Sequence, residues 1–127
     1  MVHIKTIGRL NPQDVVAPAK FYAQAVSAGT TDLDRLAFLI SNQSTVREAD
    51  CLAVLSALQH NMMDELMQGR VVQLGVLGNF QIGIRSEGRE LANEVSTSIV
   101  KSAHINFRPG KRLRTMLKAL NYKLIQG

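Results

Sequence analysis

The sequence predicts an α+β fold in which two helices precede a three-stranded antiparallel sheet and a short helix closes the domain. Two periodicities carry this prediction. Apolar residues recur at intervals of three and four between residues 31 and 69, and at intervals of two between residues 71 and 107. The chain has 127 residues, 46% hydrophobic and 20% charged, so it can bury a core and fits a single domain overall.

The first 30 residues are predicted to form a β-hairpin extension that precedes the main domain of residues 31–127. Residues 3–10 and 20–26 have the composition of short strands. A polar segment that begins Asn11-Pro12-Gln13-Asp14 separates them and is typical of a loop.

Two helices are predicted next along the chain. The first begins at Thr31 and the second at Thr45, and each threonine is followed three residues later by an acidic residue, the spacing of a capping box. The first helix is predicted to end near residues 41–42. The second ends at Gly69, because glycine favours a helix C-terminus.

The second helix is too apolar for a single buried face. Its hydrophobic residues form one stripe and then extend beyond the sector that a core-facing helix needs. One small domain covers only one side of such a helix, so we expect the remaining surface to meet a second copy of the chain. The residues expected at this dimer interface are Leu55, Leu58, Met62 and Leu66, together with Phe80 from the sheet.

The sheet is predicted where the apolar period changes to two. Its strands are expected at residues 71–74, 80–85 and 99–107. Alternation places Phe80, Ile82 and Ile84 on one face. Residues 86–98 are polar, with few apolar anchors, and are predicted to protrude from the sheet as a mobile segment, which we call the arm. The closing helix is predicted at residues 111–120.

Charge is distributed unevenly along the chain. Residues 1–69 contain five basic and seven acidic side chains, a net charge of −2, whereas residues 70–127 contain ten basic and three acidic, a net of +7. This asymmetry indicates a polyanionic partner, although a solvated basic surface has the same composition. The basic residues do not accompany an amphipathic apolar face, which disfavours a membrane partner.

No residue pattern typical of an enzyme occurs in the sequence. The histidines, His3, His60 and His104, lack ligand spacing with one another or with Cys51, so no metal is expected. A Gly-rich phosphate loop is also lacking, and no cofactor is expected. The lone cysteine, together with the lack of a secretory signal or membrane-spanning segment, predicts a cytoplasmic location.

Two segments resemble the HU/IHF family of bacterial histone-like DNA-binding proteins. The family's strand–turn–strand segment, whose turn ends with a Gly, a small polar residue and Phe, is similar to Val72-Gln73-Leu74-Gly75-Val76-Leu77-Gly78-Asn79-Phe80. Phe107-Arg108-Pro109-Gly110-Lys111-Arg112-Leu113 is similar to the family's strand end and closing helix. With the order of helices, the resemblance covers residues 31–127, and the extension resembles that of a variant HU-like branch.

The resemblance implies an intertwined homodimer in the nucleoid, in which the helices form a base and two β-arms reach around duplex DNA through the minor groove, as in this family's architectural proteins. Binding through phosphates implies little sequence preference and leaves RNA open as a partner. Lys111 matches the family's Gly-Lys position at the start of the last helix. The residues expected to contact DNA are Arg85, Arg89, Lys101, Arg108, Lys111, Arg112, Arg114 and Lys118.

The arm tip departs from the family pattern. Many members have Arg-Asn-Pro there, and the proline wedges between base pairs and kinks the DNA. Residues 88–94 contain no proline and two acidic residues, so this kinking device is not expected, and Leu91 is expected to pack locally. The alternative function is a protein-interaction module on the same fold with weakened DNA binding, which the +7 charge of the second half disfavours.

Overall fold

The computed structural model describes residues 1–14 and 16–125. In chain order its helices and strands are β1 (Val2–Arg9), β2 (Lys20–Val26), α1 (Leu33–Gln43), α2 (Glu48–Met67), β3 (Val72–Gln73), β4 (Gly78–Ser86), β5 (Val100–Pro109), α3 (Lys111–Lys118) and β6 (Tyr122–Leu124). Within the described residues, no helix combines the length and the apolar composition that crossing a membrane requires.

The chain forms two compact units, each with one three-stranded sheet. The N-terminal unit combines the first 32 residues with the chain after Thr115, and the central unit is Leu33–Thr115. The sheet of the N-terminal unit has the order β2-β1-β6, and that of the central unit has the order β3-β4-β5. The division into an extension of residues 1–30 and a main domain stays a prediction.

The sheet of the N-terminal unit contains one strand that the sequence analysis missed. The hairpin of β1 and β2 is antiparallel, as expected for the extension. The missed strand, β6, pairs in parallel with β1, and the Val2 amide donates to the Asn121 carbonyl at 2.8 Å. Because β6 has three residues and its partner lies at the other end of the chain, no local periodicity could predict it.

Both predicted helices form in the central unit, but their N-termini differ from the prediction. Each starts later than its predicted threonine, and α2 is preceded by Arg47, which makes no side-chain capping hydrogen bond. The Ser44 hydroxyl instead accepts a hydrogen bond from the Val46 amide at 3.2 Å, which bends the chain before α2 and delays its start.

The predicted C-terminus of α2 is confirmed by its hydrogen bonds. Gly69 has a φ of +79°, a conformation that favours glycine. Its amide donates to the Leu66 carbonyl at 2.9 Å, and the Arg70 amide donates to the Glu65 carbonyl at 3.1 Å. These two bonds form a Schellman motif, which satisfies carbonyls that the helix end would otherwise leave unpaired.

The predicted alternation in the second sheet is confirmed by its register. Phe80 lies opposite Phe107 and Ile82 opposite Ile105, so their side chains share one face. The two phenylalanine rings lie 4.8 Å apart between centroids and are tilted by 42°.

Strand pairing ends at the start of the arm, with the pair of Ser86 and Val100, contrary to the predicted β-arm. Residues 87–99 contain two 3₁₀ turns, Ala92–Glu94 and Thr97–Ile99. The register shifts between Arg85 and Ser86, and beyond this bulge the polar sequence offers no apolar cross-strand pairs to extend the ladder. Ile99, which is buried, anchors the base of the arm.

Candidate nucleic-acid interface

One face of the β4–β5 ladder is polar along its length. Four cross-strand pairs form this polar sheet face, namely Asn79 with Arg108, Gln81 with Asn106, Gly83 with His104, and Arg85 with Ser102. None of these positions holds an acidic residue. The face therefore presents two guanidinium groups and three side-chain amides along two neighbouring strands, all able to donate hydrogen bonds.

Gly83, in the middle of this face, leaves space above its backbone for side chains of the neighbouring strand. A Cβ at Gly83 would lie 2.8 Å from the Asn106 amide nitrogen and would collide with the His104 ring. The absence of a side chain lets both residues of β5 lie across the neighbouring strand. Gln81 and Asn106 were not among the predicted DNA contacts, although the same alternation that assigns the apolar face places them beside Arg108.

At one end, the polar sheet face meets the start of α3. We call this region the helix-start corner, formed by Gly78, Arg108, Gly110, Lys111 and Arg112. The Gly110 amide donates to the Leu77 carbonyl at 3.1 Å. Gly78 has a φ of +129°, and a Cβ there would lie 2.9 Å from the Gly110 nitrogen. Close backbone contact thus fixes the start of α3 against the preceding turn.

The first turn of α3 suits an anion. Its first intrahelical bond runs from the Arg114 amide to the Gly110 carbonyl at 3.1 Å, so the amides of Lys111 and Arg112 precede it and lack an intrahelical acceptor. The turn contains no acidic residue. The partial positive charge of the helix start and two exposed cations therefore act together, as at phosphate-binding helix N-termini.

The other predicted DNA contacts are exposed but are not gathered at one point. Arg85 lies six residues along the ladder from the partner of Arg108, a separation of about 20 Å along a strand. Arg114 and Lys118 lie on α3. Lys101 lies at the bulge between two pairs, Arg85 with Ser102 and Ser86 with Val100, so it does not belong to the polar sheet face.

Within the arm, Arg89 is engaged by its own chain. Its guanidinium donates to the Glu87 carboxylate at 2.8 Å and to the Gly88 carbonyl at 2.8 Å. The arm also contains Glu90 and Glu94, so its net charge is negative. The expectation that Leu91 packs locally is wrong, because that residue is 59% exposed.

The residues predicted at a dimer interface differ in how far the single chain exposes them to solvent. Leu66 is buried within the single chain, whereas Leu58 is 40% exposed. Leu55, Met62 and Phe80 are half-buried. Their role in a dimer stays a prediction, and Leu58 offers a partner the largest exposed fraction.

A metal site has no support from the part of the chain that the structure describes. That part contains no group of three or more His, Cys, Asp or Glu side chains placed to hold a metal ion. Cys51 is a buried free thiol, and its sulfur lies 3.9 Å from the Val46 carbonyl oxygen. It therefore packs as part of the interior of the central unit.

Comparison with a solved structure agrees with this fold. The chain resembles a protein of Bacteroides vulgatus ATCC 8482 that is described as a candidate bacterial DNA-binding protein, with a TM-score of 0.63 and 17% sequence identity. The match covers 98% of this chain and 48% of the other, so this chain spans about half the length of that protein. At this identity the likeness shows the fold alone.

Comparison with protein families gives a more specific result. No curated protein matches the chain. The model of the HU-HIG family, described as an HU domain fused to wHTH, Ig, or Glycine-rich motif, matches residues 2–123. Neither this description nor that of the solved structure names an enzymatic reaction. Because the match covers nearly the whole chain, the protein belongs to the HU-HIG family and contains its HU domain.

Proposed function

We propose that the protein is a homodimeric, HU-type DNA-binding protein that binds duplex DNA with little sequence preference and takes part in nucleoid organisation. One observation carries the proposal. The polar sheet face runs without an acidic residue from Arg85 to Arg108 and continues into Lys111 and Arg112 at the start of α3.

The chemistry of this surface suits the DNA backbone. Guanidinium and ammonium groups neutralise phosphates and release counterions, which gives affinity without reading the bases. The amides of Gln81 and Asn106 lie between the cations and can donate to acceptors on the floor of the minor groove. Such contacts distinguish poorly between bases, which is why we propose binding without strong sequence preference.

The proposed dimer is supported by apolar surface that the single chain leaves open. On α2, Val54 is 65% exposed and Met63 is 63% exposed, and on the second sheet Ile84 is 57% and Ile105 59% exposed. Large apolar side chains exposed on both elements are what an interface between two copies would bury. A second copy of the same chain would cover both elements at once.

The DNA-binding proposal is tested by titration at several salt concentrations, with linear and nicked duplexes of several sequences and with a double-stranded RNA. We expect similar affinities for all DNA sequences and a log–log salt slope of about −0.9 per phosphate contact. A strong preference for one sequence with a shallow slope would indicate base readout and contradict the proposal. No binding at low salt would favour the protein-interaction alternative.

The dimer is tested by sedimentation at micromolar concentration. We expect twice the chain mass of 14.0 kDa. Leu58→Glu should unfold the protein and give no clean monomer, because α2 supplies both core and interface. A folded, stable monomer of either protein would contradict the proposed dimer.

A further inference from the structure

The sheet of the N-terminal unit also separates charge from apolar surface. Alternation and register place nine residues on one face, which we call the basic face: His3, Lys5, Ile7, Arg9, Lys20, Tyr22, Gln24, Val26 and Lys123. None of them is acidic. The other face is mostly apolar and includes Ile4, Phe21 and Leu124.

A groove of about 640 Å³ opens on the basic face, at the end of the hairpin. Arg9, Lys20, Tyr22 and Gln24 line it, together with the loop that begins at Asn11. No acidic residue is among its described lining residues. The volume lies within the range of pockets that bind small organic ligands, and the lining combines cations, an aromatic ring and side-chain amides.

The two cations of the groove lie directly opposite each other. Arg9 pairs with Lys20 in the register of β1 and β2, a position at which like charges destabilise a sheet. Among the described residues, neither cation belongs to an ion pair. An anion seated between them would neutralise both, and a phosphate is a ligand that such a pair of cations recognises.

The aromatic ring indicates what accompanies the phosphate. Tyr22 lies one alternate position along β2 from Lys20 on the same face and is 50% exposed. Bases stack on exposed aromatic side chains when they are unpaired, whereas the bases of a duplex are already stacked on one another. We propose that this groove binds an unpaired nucleic-acid strand, with a phosphate between Arg9 and Lys20 and a base on Tyr22.

This site and the duplex interface of the central unit are formed by different residues, so variants of the two can be compared in one experiment. The full-length protein is titrated with a fluorescent oligothymidine and, at the same salt concentration, with a duplex. Arg9→Ala combined with Lys20→Ala should lower oligothymidine affinity by about tenfold or more and duplex affinity by less than about threefold. Tyr22→Ala should cost about tenfold for oligothymidine, and Tyr22→Phe should retain the affinity.

A matched control removes the same charge from the same face outside the groove. Lys5→Ala combined with Lys123→Ala should change oligothymidine affinity by less than about threefold, with far-UV circular dichroism and thermal melting confirming that every variant is folded. An equal loss in control and groove variants would overturn the site, since diffuse charge would then explain binding. An unchanged affinity in the groove variant would overturn it as well.

Two further measurements distinguish a nucleotide phosphate from a free phosphate and the groove from the duplex interface. Thymidine monophosphate should displace the oligothymidine at a lower concentration than inorganic phosphate does; equal displacement would reduce the groove to a free-anion site and overturn the proposal. Arg108→Ala combined with Lys111→Ala should spare oligothymidine binding, and an equal loss for both probes would assign the strand to the central unit. Failure of duplex binding alone would count against the proposed function and leave the groove standing.

Discussion

The basic residues at the two ends of the β4–β5 ladder differ in their surroundings. At the helix-start corner, Arg108, Lys111 and Arg112 are exposed, with no acidic residue in the first turn of α3, and the backbone is fixed by the contact of Gly110 with the preceding turn. In the arm, Arg89 is hydrogen-bonded to Glu87. The Glu87 amide donates to the Ile99 carbonyl at 2.9 Å, and the arm's other backbone hydrogen bonds outside β4 and β5 join residues only three apart in sequence.

This difference shows that formal charge alone does not define a binding surface. A cation contributes to phosphate binding when its own chain has not neutralised it and when a rigid backbone positions it. The helix-start corner meets both conditions and the arm meets neither. We therefore expect perturbations of the corner to have large effects and perturbations of the arm to have small ones.

The largest expected effect is on stability, from replacing the glycine of the helix-start corner, and a glycine of the arm provides the comparison. Gly78→Ala places a Cβ against the Arg108 carbonyl, in a backbone with a φ of +129°, and should lower the free energy of unfolding by about 3 kcal/mol. Gly88→Ala in the arm meets no atom within 4 Å and should change it by less than about 0.5 kcal/mol. Urea denaturation measures both, and equal effects would remove the contrast in rigidity.

The next effect concerns the cations of the corner. Arg108→Ala combined with Lys111→Ala should weaken duplex binding on the order of 50-fold at roughly 0.1 M salt and reduce the salt slope by about two units. Arg47→Ala combined with Arg70→Ala removes the same charge elsewhere, and Arg70 is already paired with Glu65 at 2.8 Å. This control should lose far less affinity. Similar losses in both double variants would indicate a general charge effect.

Periodicity was sufficient to predict most of the fold. The hairpin, both long helices and the alternation that places Phe80 and Ile82 on one face of the sheet all follow from spacings within single segments. The sequence could not predict β6, because its partner β1 is at the other end of the chain. It also misplaced the start of α2, where Ser44, and not Thr45, makes the local hydrogen bond to the backbone.

The candidate site was only partly predictable, for similar reasons. The basic residues were identified by composition, but a bulge decides where Lys101 lies and a side-chain conformation decides that Arg89 meets Glu87. Neither feature has a periodic signature. The groove between Arg9 and Lys20 depends on cross-strand register, which the hairpin loop sets and which residue counts alone did not supply.

A smaller effect is expected from removing the arm tip. Deleting residues 88–96 should reduce duplex affinity by less than tenfold, about 1.4 kcal/mol or below, because Arg89 is the arm's only cation and Glu87 engages it. Fluorescence titration measures the affinity, and circularisation of short fragments measures bending. Loss of all binding, or bending as sharp as that of relatives with a proline at the tip, would show that Arg89 and the exposed Leu91 enter the groove.

The smallest effect tests the internal pair of the arm directly. Glu87→Gln removes the carboxylate that lies 2.8 Å from the Arg89 guanidinium, and both side chains remain partly exposed, so folding should be unaffected. With Arg89 released and one negative charge gone, duplex affinity should rise by about two- to threefold and the salt slope should steepen. Glu90→Gln removes the same charge from the same segment and leaves the pair intact. If the two variants gain equally, general charge accounts for the gain, and pairing with Glu87 does not restrain Arg89.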